Sequence, residues 1–226
     1  MKIYRYRRLL TVVLLLCSTL LPAGTTQAQR AFDFITDQNN YAVLPNGTVM
    51  VFVFLRETLS GNSTSLLLAE NGLISAGVQA SRTTSPSSPA VFTGATLDIT
   101  NFDGTNQSSV VAGGAQALLS GTRNPADAGG TPIITDSATI RRILIGSLTI
   151  QGGVIPLQTT TFTLGDPSTV SDTRTWTNGT SLDPLIFPRT FTVTVGVVPE
   201  PASFALFGLG GLLLVHHLHR RRGKRD

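Results

Sequence analysis

The central part of this chain of 226 residues lacks three reactive residue types. Between Gln29 and Val198 there is no lysine, no histidine and no cysteine. The residues of these three types lie nearer the termini: Lys2, Cys17, His216, His217, His219 and Lys224. The absence excludes serine triads, cysteine dyads, Ser–Lys dyads and Schiff-base lysines from the centre. It also removes the usual ligands of zinc.

Charge is sparse in the same region, and its sign differs from that of the whole chain. The formal net charge is +4, yet residues 29–198 contain eight arginines against eleven acids. The basic excess therefore belongs to the two ends. Because a nucleic-acid-binding surface needs clustered basic side chains, this distribution excludes that class for the central region.

The first 28 residues are typical of a secretory signal peptide. A basic start contains Lys2, Arg5, Arg7 and Arg8. An apolar run from Leu9 to Leu21 follows, and Thr26-Gln27-Ala28 places small residues at positions −3 and −1. The pattern predicts cleavage after Ala28.

Three other interpretations of the leader fit the pattern less well. An uncleaved anchor needs about 20 apolar residues, more than this run provides. A lipoprotein signal ending at Cys17 would have Gly or Ala in place of Leu16, and Arg7-Arg8 lacks the flanking pattern of a twin-arginine signal. Cleavage after Ala28 leaves a chain without cysteine, which must hold its fold by packing and not by disulfides.

The C-terminus has the reverse order of apolar and basic residues. Ala202–Leu218 is predicted to form a transmembrane helix of 17 residues, about 25 Å long. The basic tail consists of Arg220, Arg221, Arg222, Lys224 and Arg225. Basic residues that flank a span stay on the cytoplasmic side, so the body is expected outside. The neighbouring histidines are interpreted as the interfacial end of the span.

A rigid acidic segment precedes this span. In Pro199-Glu200-Pro201 each proline fixes φ and lacks an N–H, so Glu200 is expected in an extended, unpaired conformation. Such a segment suits the binding site of a protease or transpeptidase. The alternative interpretation is a stiff spacer before an ordinary anchor.

Together these parts resemble the PEP-CTERM sorting signal of Gram-negative bacteria. The resemblance covers residues 198–226, with the sorting motif at Val198, Pro199, Glu200 and Pro201. It implies a membrane-embedded exosortase, a transpeptidase with a cysteine nucleophile, which cuts near Pro-Glu-Pro and moves the body to the envelope or the extracellular matrix. Signal peptidase and the inner membrane are the other implied partners, and exopolysaccharide is a further candidate.

Residues 29–197 are predicted to form one all-β domain, a sandwich or jelly roll of short antiparallel strands. Runs rich in β-branched and aromatic residues lie at 48–55, 91–99, 142–150, 159–164 and 189–195, with Gly, Asn and Pro turns between them. In the last run, alternation predicts that Phe191, Val193 and Val195 face the core. Stretches 47–57, 67–78 and 145–150 are similar to cohesin-like sandwich modules, which implies a fold and no binding residues.

No catalytic residue, metal site or cofactor is assigned from the sequence. Glu57 and Glu70 are the only glutamates available for a two-carboxylate glycosidase. Asp98, Asp103 and Asp127 are the candidates for a calcium site if their loops converge. Asp166-Pro167 is interpreted as a turn. Trp176, the sole tryptophan, is interpreted as a core residue, with stacking on a sugar ring as the alternative.

These observations predict an exported, non-enzymatic protein of the envelope or the extracellular matrix, delivered by its C-terminal signal. The alternative is a membrane-anchored module that binds carbohydrate or protein. A polysaccharide hydrolase is the third hypothesis.

Overall fold

A computed structural model describes residues 30–126, 129–167 and 172–197. These residues form thirteen strands, one short helix and two 3-10 turns. The strands are β1 (Arg30–Thr36), β2 (Asn40–Val43), β3 (Thr48–Leu59), β4 (Leu73–Arg82), β5 (Val91–Leu97), β6 (Ser109–Val110), β7 (Gln116–Thr122), β8 (Ile134–Thr135), β9 (Ile140–Gln151), β10 (Thr159–Gly165), β11 (Arg174–Thr175), β12 (Ile186–Phe187) and β13 (Arg189–Val195). The helix α1 is Leu66–Ala69, and the 3-10 turns are Ala112–Gly114 and Asp183–Leu185.

Two sheets share one core, as predicted for a β-sandwich. Sheet A has the strand order β12-β1-β3-β9-β5, with β8 on β9. Sheet B has the order β2-β13-β10-β4-β7-β6, with β11 on β4. Most pairs are antiparallel, and β1–β12 and β2–β13 are parallel. The all-β prediction is therefore confirmed for the described residues.

Alternation of apolar residues and threonine decides which face of β10 and β13 is buried. Phe191, Val193 and Val195 are almost fully buried, whereas the threonines between them are exposed or half-buried. A period of two places alternate side chains on opposite faces of a strand, so the threonine face meets solvent. The predicted core face of this strand is confirmed.

An aromatic cluster joins the two sheets at the centre of the core. Phe92 of sheet A lies 4.7 Å from Phe162 of sheet B, measured between ring centroids. Phe162 stacks on Phe191 at 5.2 Å, and Tyr41 meets Phe191 edge-on at 6.0 Å. Each buried phenylalanine contributes about 2 kcal/mol of hydrophobic stabilisation. In the absence of disulfides in the described residues, such packing holds the sheets together.

The turns follow the predicted Asn and Gly positions. Asn46, Asn71 and Gly179 have positive φ, a backbone conformation that Asn and Gly adopt at little cost. Leu157, directly after Pro156, also has a positive φ, of 64°.

Candidate functional site

Three aspartates from separate segments come together beside β4. Asp166 follows the end of β10, Asp172 precedes β11, and Asp183 begins the 3-10 turn before β12. One carboxylate oxygen of each lies within 4.8 Å of the others. Within the described part of the chain, this is the group of acidic side chains close enough to share a cation.

Asp183 is held by hydrogen bonds from its neighbours. The backbone N–H of Asp172 donates to Asp183 Oδ2, and that of Thr173 donates to Oδ1, each at 3.0 Å. The Ser181 hydroxyl donates to Oδ2 at 3.3 Å. The other two carboxylates differ, because Asp166 Oδ1 and Asp172 Oδ1 are buried without a hydrogen-bond partner among the described residues.

Burial and mutual repulsion shift the protonation of these two acids. Burial, together with the negative charges of Asp183 and Asp166, raises the pKa of Asp172 to about 7. Burial and the charge of Asp183 raise the pKa of Asp166 to about 6. A carboxylate taken out of water near like charges favours its neutral form. The Asp166 and Asp172 carboxyl groups therefore change protonation state near neutral pH.

A glycine on β4 makes room for the cluster. A Cβ on Gly77 would lie 1.8 Å from Asp172 Oδ2, so the Asp172 carboxylate rests against the bare backbone of this strand. The Gly77 N–H donates to Thr173 Oγ1 at 3.2 Å, which docks the segment on β4. A cleft of about 220 Å³ opens beside Asp172, lined also by Ser75 and Arg174.

The cluster does not contain the three aspartates that the sequence offered as candidates for calcium. Asp98 Oδ1 accepts the N–H of Thr100, two residues on, as an ordinary turn residue does. Asp103 Oδ1 accepts the N–H of Asn124, from a different loop. Asp127 lies outside the described residues. Asp166 was interpreted only as a turn residue, and no local spacing links it to Asp172 and Asp183. Calcium takes six to eight oxygens, so an ion bound here would need further ligands beside three carboxylates.

The two glutamates considered for glycosidase chemistry hold loops in place. Glu57 is fully buried and accepts hydrogen bonds from Ser65 Oγ and from the N–H of Leu66, at the start of α1. Glu70 accepts hydrogen bonds from the N–H and Nδ2 of Asn178. Both carboxylates are therefore engaged by the protein itself, and neither belongs to the aspartate cluster.

Trp176 lies in the turn between β11 and the following 3-10 turn. It is half-buried and is not part of the core, so the interpretation as a core residue is wrong. The guanidinium carbon of Arg123 lies 5.8 Å from its ring centroid, a cation–π contact. This contact occupies a ring face that a sugar would need.

Two arginines from different sheets meet one buried aspartate. Asp33 on β1 accepts a bidentate pair from Arg56 on β3, at 2.7 and 2.9 Å. Arg189 of β13 donates to Asp33 Oδ2 at 2.6 Å. The Arg189 bond connects sheet B to sheet A, and the hydrogen bond that Arg56 donates to Asp33 raises the pKa of Arg56. A cleft of about 510 Å³ lies next to them, bordered by Gln38 and Asn39.

The predicted signal peptide, its cleavage at Ala28, the sorting motif, the 202–218 helix and the basic tail lie outside the described residues. Within those residues, no helix has the length and apolar character required to cross a membrane. The described fold begins at Arg30 and continues to Val197, where β13 has just ended.

Fold and sequence together define a β-sandwich protein with a C-terminal sorting signal. Residues 197–223 match the family model of the PEP-CTERM protein-sorting motif. The chain therefore carries a PEP-CTERM sorting signal, as the sequence resemblance implied. No curated protein matches the chain.

Proposed function

We propose that this protein is an exported, non-enzymatic component of the cell envelope or extracellular matrix. Its C-terminal signal directs it to an exosortase-type transpeptidase, in agreement with the sorting motif at residues 197–223. That match is the observation that carries the proposal.

The domain boundaries support this arrangement. Strand β1 begins at Arg30, two residues beyond the proposed cleavage site at Ala28. Strand β13 ends at Val195, three residues before the proposed sorting motif. A signal peptidase and a transpeptidase would each cut outside the described strands.

The composition of the body supports a structural role and not a catalytic one. The body lacks lysine, histidine and cysteine, and both of its glutamates are bound to loop and helix backbones. In the proposed topology, residues 202–218 cross the inner membrane and the basic tail stays in the cytoplasm until processing.

Mass spectrometry of the mature C-terminus tests the proposal. Processing predicts a chain that ends close to Pro201, and a Glu200→Ala variant is expected to accumulate in the membrane fraction with Asp226 still present. Asp136→Asn, a change to an exposed acid of the body, is the control and should leave processing intact. A wild-type protein that always ends at Asp226 would contradict transpeptidase sorting and leave a permanent anchor.

A membrane-anchored binding module is the second candidate function. The cleft bordered by Gln38, Asn39 and Arg189 is the feature that favours it, because side-chain amides and guanidinium groups suit polar ligands such as carbohydrate hydroxyls and carboxylates. Retention of the body on a column of the producing strain's exopolysaccharide, abolished by Gln38→Ala, would support it.

A further inference from the structure

One end of the sandwich carries exposed apolar side chains at the point where the chain leaves for the sorting signal. Strand β13 ends there, together with β2 and β9, while β3, β5 and β10 begin there. The exposed apolar residues of this end are Leu44, Val154, Ile155, Leu157 and Val197, which we call the apolar collar.

Hydrogen bonds hold the loops of the collar together. The N–H of Leu157 donates to Val195 O at 2.7 Å, and that of Gly196 donates to Val43 O at 2.7 Å. The N–H of Asn46 donates to Gly153 O at 3.3 Å. The collar is therefore one surface built from three chain segments.

Leu157 is presented to solvent in an unfavourable backbone conformation. Its side chain is 74 % exposed, and its φ of 64° is a value that glycine or asparagine would adopt with less strain. A strained backbone that turns a large apolar side chain outwards does not serve the core. Backbone strain of this kind is found at functional sites.

Among the described residues, the segments that form this end carry no charged side chain. No charged residue occurs in the strands and loops that lead to the apolar collar. These stretches are residues 38–55, 83–97, 104–122, 143–165 and 190–197. Arg82, the last residue of β4, borders one of them. Charged residues such as Arg56 and Arg189 lie toward the opposite ends of their strands.

Chain length places this end next to the membrane, if residues 202–218 span it as proposed above. Five residue steps separate Val197 from Ala202, a reach of at most about 18 Å. A short tether gives an effective concentration on the order of millimolar, so even a weak contact with the surface would be populated. Contiguous exposed apolar surface marks interaction sites for membranes or proteins.

We propose that the apolar collar docks on the lipid interface of the membrane that holds the sorting signal. The sandwich then stands upright on the bilayer, with its charged end outward. Because the collar is uncharged, the contact depends on apolar insertion and not on anionic lipid. This inference rests on the membrane anchoring in the proposed function.

Depth-dependent fluorescence quenching of the full chain in vesicles tests the docking. Single cysteines replace Ile155 in the collar or Ile99 at the opposite end, in a Cys17→Ser background, and each carries an environment-sensitive dye. In phosphatidylcholine vesicles, quenching by spin-labelled lipid is expected to be several-fold stronger at position 155 than at 99. Iodide in the buffer should show the reverse order, and phosphatidylglycerol should change neither result.

A second variant separates insertion from general proximity to the membrane. Replacing Val154, Ile155 and Leu157 together by asparagine removes the apolar surface and keeps a residue type that tolerates positive φ at 157. A dye at Leu44→Cys should then lose its lipid quenching. Circular dichroism and the unfolding temperature report whether this variant keeps its fold.

The possible outcomes separate this inference from the proposed function. If the chain floats with vesicles but positions 155 and 99 are quenched alike, the docking proposal is wrong and the anchor stands. If position 155 is shielded only when an exosortase is reconstituted beside the chain, the collar binds protein and the lipid proposal is also wrong. A chain that does not float overturns both.

Discussion

The Asp172 carboxylate is expected to make stability depend on pH near neutrality. Its folded pKa of about 7 lies above the ordinary aspartate value near 4, so the folded state holds more protons than the unfolded chain between these values. The free energy of unfolding therefore falls as pH rises from about 4 to about 7 and stays low above that. Asp166, with a pKa of about 6, acts in the same direction.

Asp172→Asn should remove much of this dependence. The neutral amide no longer repels Asp183 and can donate a hydrogen bond to it, so we expect a gain on the order of 1 kcal/mol at pH 8, after screening by solvent is allowed for. Urea unfolding from pH 4.5 to pH 8 measures the effect. Asp136→Asn removes a surface acid away from the cluster and is the control; equal changes in both variants would contradict the assignment.

The aspartate cluster could not be predicted from the sequence. Asp166-Pro167 fits a turn. Because turn formation is a local property, this pattern does not predict contacts with distant aspartates. The meeting of Asp166 with Asp183 depends on how β10 and the 3-10 turn pack around β4, and on the missing side chain of Gly77. Neither is encoded in a spacing that can be recognised along the chain.

At the scale of elements, Asp33 links strands of both sheets and its two arginines differ in burial. The Arg56 side chain is 29 % exposed and bidentate, whereas that of Arg189 is 57 % exposed and makes one bond. Removing Arg56 leaves a buried carboxylate with a single exposed partner. Arg56→Met should therefore cost about 2 kcal/mol and Arg189→Met less than about 1 kcal/mol.

Thermal unfolding of the two methionine variants measures the difference. Raising the salt concentration should weaken the contribution of Arg189 more than that of Arg56, because exposed charges are screened more strongly. The double variant should show coupling, since both arginines share Asp33. Equal destabilisation by the two single changes would show that the contribution of these ion pairs does not depend on burial.

The strands differ in how well the sequence predicts them. For β13 the predicted range and the buried face are both confirmed, since Phe, Val and Thr alternate over seven residues. Strands β1, β4 and β7 were not predicted as strands. Strand β4 carries Gly77 and several small residues, and β7 contains Ala117 and Gly121. Their buried faces therefore depend on close packing between sheets and not on hydrophobic periodicity.

At the scale of the whole molecule, the two ends of the sandwich differ in charge and in exposed apolar surface. The neutral, apolar end is the one from which the sorting signal departs. The aspartate cluster, the two arginines that bind Asp33 and the buried glutamates lie toward the other end. The sequence alone identifies the C-terminal sorting signal, because this motif is linear. The polarity of the body required the strand order.

The basic tail is expected to fix the orientation of the whole chain in the membrane. Replacing Arg220, Arg221, Arg222, Lys224 and Arg225 by serine removes the charge that stops transfer after the apolar segment. The full-length chain should then escape into the periplasm with Asp226 intact. The amount of processed protein should fall by at least about tenfold. If membrane retention and escape were at equilibrium, this change would correspond to about 1.4 kcal/mol. Fractionation with mass spectrometry measures both products.

The control for the tail is a change of charge at a different place in the same molecule. Arg141→Ser and Arg142→Ser alter two cations of β9 in the body and should leave processing unchanged, although they weaken the contact between Arg142 and Phe54. If the serine tail is still retained and cut near Pro201, the apolar segment and the Pro-Glu-Pro motif suffice for sorting. The cytoplasmic cations would then have no part in positioning the cleavage site, and the distance between collar and bilayer would be set by the four residues 198–201 alone.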